Sequence, residues 1–214
     1  MDTLLTPVEA RVLGCLVEKQ ATTPATYPLS RNALTAACNQ KTSRDPVMNL
    51  TEAAVQQAVD SLITKTLALR RGGAGARVAK FAHCLHDRLN REYDFSRGEL
   101  AIMAVLFLRG AQTRGELRSR SARIYEFESM VEVDDVLAGL QSRGDGPYVT
   151  ELPVSPGQKE SRFAHLACGD IDVAAQASAE PRRSTSADLA ERVTALEKQV
   201  AELQNALAAL RDGR

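Results

Sequence analysis

The sequence predicts a mainly α fold with small β-hairpins, in which one unit is built twice in tandem and followed by a coiled-coil helix. Three observations predict it: an internal repeat, a strand-like pair of segments closing each copy, and apolar heptads near the end of the chain.

The first copy opens on "LTPVEARVLGCLVEKQATT" from Leu5, and the second on "FSRGELAIMAVLFLRGAQT" from Phe95, an offset of 90. Both begin with a capping box, in which Thr6 or Ser96 accepts from the third helical N–H while Glu9 or Glu99 reaches back. Pro7 suits the first helical position. Val12, Leu13, Leu16 and Val17 match Ile102, Met103, Leu106 and Phe107 as one apolar helical face. Second helices follow in "LSRNALTAAC" and "TRGELRSRSA". In the third helices Val55, Ala58, Val59 and Leu62 match Val133, Val136, Leu137 and Leu140 at an offset of 78. Each copy closes on two strands, "LALRR" with "RVAKFAHCL" and "YVTELPV" with "SRFAHLA". Three helices followed by a hairpin describe a winged helix-turn-helix, here present twice: residues 1–92 and residues 93–168.

The falling offset places an insertion before the third helix of the first copy. This is "NQKTSRDPVMN", beside the helix that such a fold lays in the major groove. Residues 169–185 are small and polar around Pro181 and read as a flexible linker. Residues 186–212 then form heptads, with Leu189, Val193, Leu196, Val200, Leu203, Leu207 and Leu210 stepping by 4 and 3. Leu at every d position and Val at the first two a positions favour two parallel strands, with Arg192 reaching Glu197 of a partner helix. A homodimer is expected, although about three heptads are marginal alone.

From Thr6 to Leu166 the chain resembles the YceH-like family of bacterial proteins. The resemblance is carried by "EARVLGCLVEKQATTPATYPLSRNALTAACNQKTSRDPVM", "RGAQTRGELRSRSARIYEF" and "ESRFAHL". It implies a tandem winged-helix fold, in agreement with the repeat, and supplies no catalytic residues. "PVSPGQKE" is less basic than the second wing of relatives, and Ala111 stands where they commonly have proline.

The 27 basic and 27 acidic residues balance, so any nucleic-acid contact has to rest on a local patch. The first wing supplies one in Arg70, Arg71, Arg77 and Lys80, around a glycine tip and without an acid. Lys41 and Arg44 of the insertion add charge, and Gln56 and Gln57 on the third helix can read adenine edges. The insertion also has turn and capping chemistry of its own: Asp45 before Pro46, Thr51 as a cap, and Leu50 as a staple onto Val55. The third helix of the second copy opens with Glu128, Glu132, Asp134 and Asp135, which suit a helix dipole and a protein partner better than DNA. Arg114, Arg118, Arg120 and Arg123 read as ion-pair partners for those acids, with phosphate contact as the alternative.

Double-stranded DNA is thus the expected partner of the first copy, with a regulatory role, and a protein-interaction module is the rival reading. No motif of an enzyme appears. Strand alternation sends His83 and Cys84 to opposite faces, so no metal is expected, and no cofactor either. The four cysteines are scattered, as befits reduced and mostly buried thiols. With Asp2 where a positive leader would begin and no membrane-length apolar run, the chain is expected in the cytoplasm and off the membrane.

Overall fold

The computed structural model describes residues 4–72, 78–86, 94–154 and 158–169, all within one compact unit that ends at Ile171. The heptad positions Leu189, Val193, Leu196, Val200, Leu203, Leu207 and Leu210, and the linker before them, lie outside the described residues. Among the described residues there are six α-helices and two small antiparallel sheets.

In the first half α1 (Pro7–Thr22) is followed by a 3-10 turn (Pro24–Thr26), β1 (Leu29–Ser30), α2 (Arg31–Cys38), α3 (Glu52–Thr64), β2 (Ala68–Arg71) and β3 (Lys80–His83). The second half runs α4 (Arg97–Arg109), α5 (Arg114–Ser121), α6 (Met130–Ser142), β4 (Val149–Leu152) and β5 (Arg162–His165). Each half is therefore three helices and then a hairpin. Both expected capping boxes form: Thr6 accepts from Glu9 N–H at 3.2 Å while Thr6 N–H donates to Glu9 at 2.6 Å, and Ser96 and Glu99 do the same. Thr51 caps α3, and a third box, Thr113 with Glu116, starts α5. Each satisfies N–H groups that the first turn leaves without an intrahelical partner.

The first sheet corrects the sequence-based expectation of a two-stranded hairpin. Its order is β1-β3-β2, because Leu29 and Ser30 extend into the cap of α2 and pair with Phe81 and Lys80. In the second half the matching position is Gln112, which makes only an isolated bridge to Phe163.

The two halves share a core. Leu13 and Leu16 of α1 lie in one buried cluster with Ile102, Leu106 and Phe107 of α4. Gly14 makes that approach possible, since a Cβ built on it would sit 2.8 Å from Cβ of Phe107. Backbone bonds also cross between the halves: Leu5 N–H donates to Ala167 O at 2.7 Å, and Asp45 N–H to Leu108 O at 2.8 Å. Among the described residues no helix is long and apolar enough to cross a membrane.

Candidate nucleic-acid interface

The connector between α2 and α3 is held from inside. Arg44, expected at the surface, has a side chain that is 0% exposed. Its guanidinium donates to Glu18 at 2.6 and 3.1 Å, to Gln40 at 3.1 Å, and to the carbonyls of Ala37 and Ser43 at 3.2 and 2.8 Å. A buried guanidinium with its donors turned inward is not presented to a duplex. Burial pushes the Glu18 carboxyl up, but the hydrogen bond and charge of Arg44 outweigh it and leave Glu18 below the ordinary carboxylate range.

Arg11 on α1, also buried, donates to the carbonyls of Cys38 at 3.2 Å and Pro46 at 2.7 Å. Asn39 closes the loop, giving a hydrogen bond to Leu50 O at 2.8 Å and taking one from Leu50 N–H at 2.7 Å. The sequence reading missed Arg11 and Glu18. The repeat held their signal, because they align with Ala101 and Leu108, polar against apolar on the same helix face. Of the two cations expected to serve as contacts in this connector, Lys41 remains exposed.

Helix α3 presents Gln57 to solvent, while half-buried Gln56 donates its amide to Asp60 at 2.9 Å. Glu52, which would repel phosphate, is paired with Arg31 at 2.9 Å. On the hairpin Arg70, Arg71 and Lys80 are all exposed, and the register sets Arg71 directly opposite Lys80. Like charges facing each other across a ladder are unfavourable, so this end of the sheet concentrates positive potential. Arg77 lies outside the described residues. The fold thus gathers Arg70, Arg71 and Lys80 on one hairpin, puts Gln56 and Gln57 on one helix, and withdraws Arg44.

The histidines of β3 and β5 are held within the fold. His83 is buried, with Nε2 2.6 Å from Gln20 Oε1, while its Nδ1 accepts from Leu85 N–H at 3.2 Å. That arrangement assigns the ring proton to Nε2. Burial, with the neighbouring His86, holds its pKa at about 4. Burial does the same to His165, whose ring packs edge-on against Phe107 at 4.9 Å. Among the described residues no three His, Cys, Asp or Glu gather where a metal could be held. Cys15, Cys38 and Cys84 are buried, whereas Cys168 is exposed.

In the second half the expected pairing of arginines with the acids of α6 is made at Arg114 and Asp134, 3.3 Å apart. Arg118 instead donates to the carbonyls of Phe127 and Glu128, and Arg120 pairs with Glu116 at 3.0 Å. The opening of α6 leaves Met130 and Val131 exposed among acids.

Residues 5–158 match the family described as "Protein of unknown function, DUF480". Proteins named "UPF0502 protein YceH" from Salmonella arizonae, Salmonella paratyphi B and Salmonella newport are each 50% identical over 206 residues, covering 96% of this chain and 95% of theirs. A match of this length, running through both halves of the repeat, places the chain in the YceH-like DUF480 family.

Proposed function

We propose that this chain is a non-enzymatic, regulatory tandem winged-helix protein that binds double-stranded DNA through its first domain, residues 1–92. The single observation that carries the reading is the exposed end of the first hairpin, where Arg70, Arg71 and Lys80 stand together with no acid on either strand. On this reading α3 lies in the major groove with Gln56 and Gln57 toward base edges, Lys41 meets the flanking phosphate, and the hairpin, with Arg77, follows the backbone.

The test is anisotropy of a labelled duplex against full-length protein across a salt series. Affinity should fall steeply with salt, and combined Arg70→Ala, Arg71→Ala, Arg77→Ala and Lys80→Ala should weaken binding across all sequences. The same variant should flatten the log–log salt slope by up to about one unit per lost contact. No binding at low salt, or an unchanged slope in the variant, sinks the reading.

A second reading, a protein-interaction module, is favoured by one observation: Met130 and Val131, 37% and 67% exposed, sit beside Glu128 and Asp135 at the start of α6. Apolar side chains rimmed by acids suit a basic protein partner. A stoichiometric partner lost on Val131→Asp, with no duplex binding, would select it. The tail heptads, Leu189 to Leu210, would make either form a homodimer.

A further inference from the structure

A hollow of about 40 Å³ opens where α1, the connector, α4 and α5 meet, at the seam between the two halves. That is room for a few waters or one small oxyanion. Val105, Leu108 and Ile124 line part of it, and Arg109, Arg120 and Arg123 line the rest together with Glu18 and the hydroxyl residues Thr22 and Ser43.

Three guanidiniums around one small space need an explanation. Arg120 has one: it is held by Glu116 at 3.0 Å and donates to the side-chain oxygen of Gln112. Arg109 ends α4, where the helix dipole favours a cation, but among the described residues its guanidinium has no hydrogen bond or ion pair. Burial, and then the charges of Arg120 and Arg44, push its pKa down, so the group sits in surplus positive potential. Arg123, on the turn after α5, likewise has no hydrogen bond or ion pair among the described residues. Of the charged residues that line the hollow, three are arginines and one, Glu18, is a carboxylate already held by Arg44.

Two hydroxyls border the same space. Thr22 spends its proton on Glu18 O, so of the two only the Ser43 hydroxyl, which makes no hydrogen bond among the described residues, has a proton to offer. Planar forked donors beside an apolar wall suit a phosphoryl group, which takes guanidinium hydrogen bonds in pairs.

We propose that Arg109, Arg120 and Arg123 form a binding site for a phosphoryl oxyanion at the seam between the two halves. The bound anion would bridge α4 to the end of α5 and lie against α1, so that its occupancy stiffens the packing of one half on the other. The site is separate from the basic hairpin, and its existence does not depend on DNA being bound there. The phosphoryl group could belong to a small phosphorylated effector or to a nucleic-acid backbone.

The test titrates inorganic phosphate into the full-length protein at constant ionic strength, with chloride as the balancing anion, and reads thermal midpoint and 31P line width. We expect saturable binding with a Kd on the order of 1 mM or tighter, and a rising midpoint. Arg109→Gln with Arg123→Gln should weaken it at least tenfold. Arg123→Gln alone, at an exposed position that leaves folding intact, should weaken it severalfold, and Lys159→Gln, away from the hollow, should not. A midpoint that responds equally to chloride, or phosphate binding that survives the double substitution, overturns the proposal. A short duplex then identifies the source: displacement of phosphate assigns the group to the polymer backbone, and simultaneous binding assigns it to a free phosphorylated ligand.

Discussion

Arg44 and Lys41 lie three residues apart in one polar run, and their fates are opposite. The difference is one of partners: Arg44 finds Glu18, Gln40 and two carbonyls, while Lys41 finds solvent. Arg44→Met leaves the Glu18 carboxylate without its main cation in a part-buried site, a change that costs about 3–5 kcal/mol. Urea unfolding should register that loss, and Arg44→Lys should recover little of it, because a single ammonium cannot reproduce the fork. Lys41→Ala should leave stability within about 0.5 kcal/mol.

A second residue-scale prediction concerns pH. His83 and His165 titrate at about 4 in the folded chain against about 6.5 when unfolded, so between those values the unfolded chain binds more protons. Stability is therefore fully present above pH 6.5 and declines as pH falls toward 4, by on the order of 3 kcal/mol for His83. Glu9 extends the decline. Burial raises its pKa, but hydrogen bonds from Ser61, Thr6 and Lys65 hold it at about 2, so its contribution goes as pH falls from about 4.5 to 2. Urea midpoints should follow this two-part slope, and His83→Gln should flatten the upper part only.

Among the elements, the decisive contact is α1 on α4. Gly14→Ala places a methyl 2.8 Å from the Cβ of Phe107 and 3.1 Å from Leu108, so the helices must separate. Helix propensity favours alanine by up to about 1 kcal/mol, and overpacking of a buried seam costs about 1–3 kcal/mol. We expect net destabilisation in thermal unfolding. Gly115→Ala on α5, with nothing within 4 Å of the added carbon, should stabilise instead. Caps and helix ends were legible in the sequence because a cap and its N–H lie three residues apart. Strand β1 was not, since two residues carry no periodicity and their pairing with Phe81 is set by the fold.

For the whole molecule, the outstanding prediction is assembly. Light scattering on the full chain should return a dimer at tens of micromolar, and a chain ending at Gly169 should return a monomer; a full-length monomer would refute the heptad reading, and a truncated dimer would move the interface elsewhere. The repeat, the capping boxes, the apolar helix faces and the two closing hairpins could all be read from the amino-acid sequence, because each depends on neighbours a few residues away or on a regular period. Tertiary structure alone decided that Arg44 and Arg11 turn inward, where their partners lie 26, 27 and 35 residues away. It also joined the two halves into one core and brought three arginines to one hollow. A side chain's charge is written in the sequence, but whether that charge is buried, neutralised or left in surplus depends on which distant groups folding places beside it.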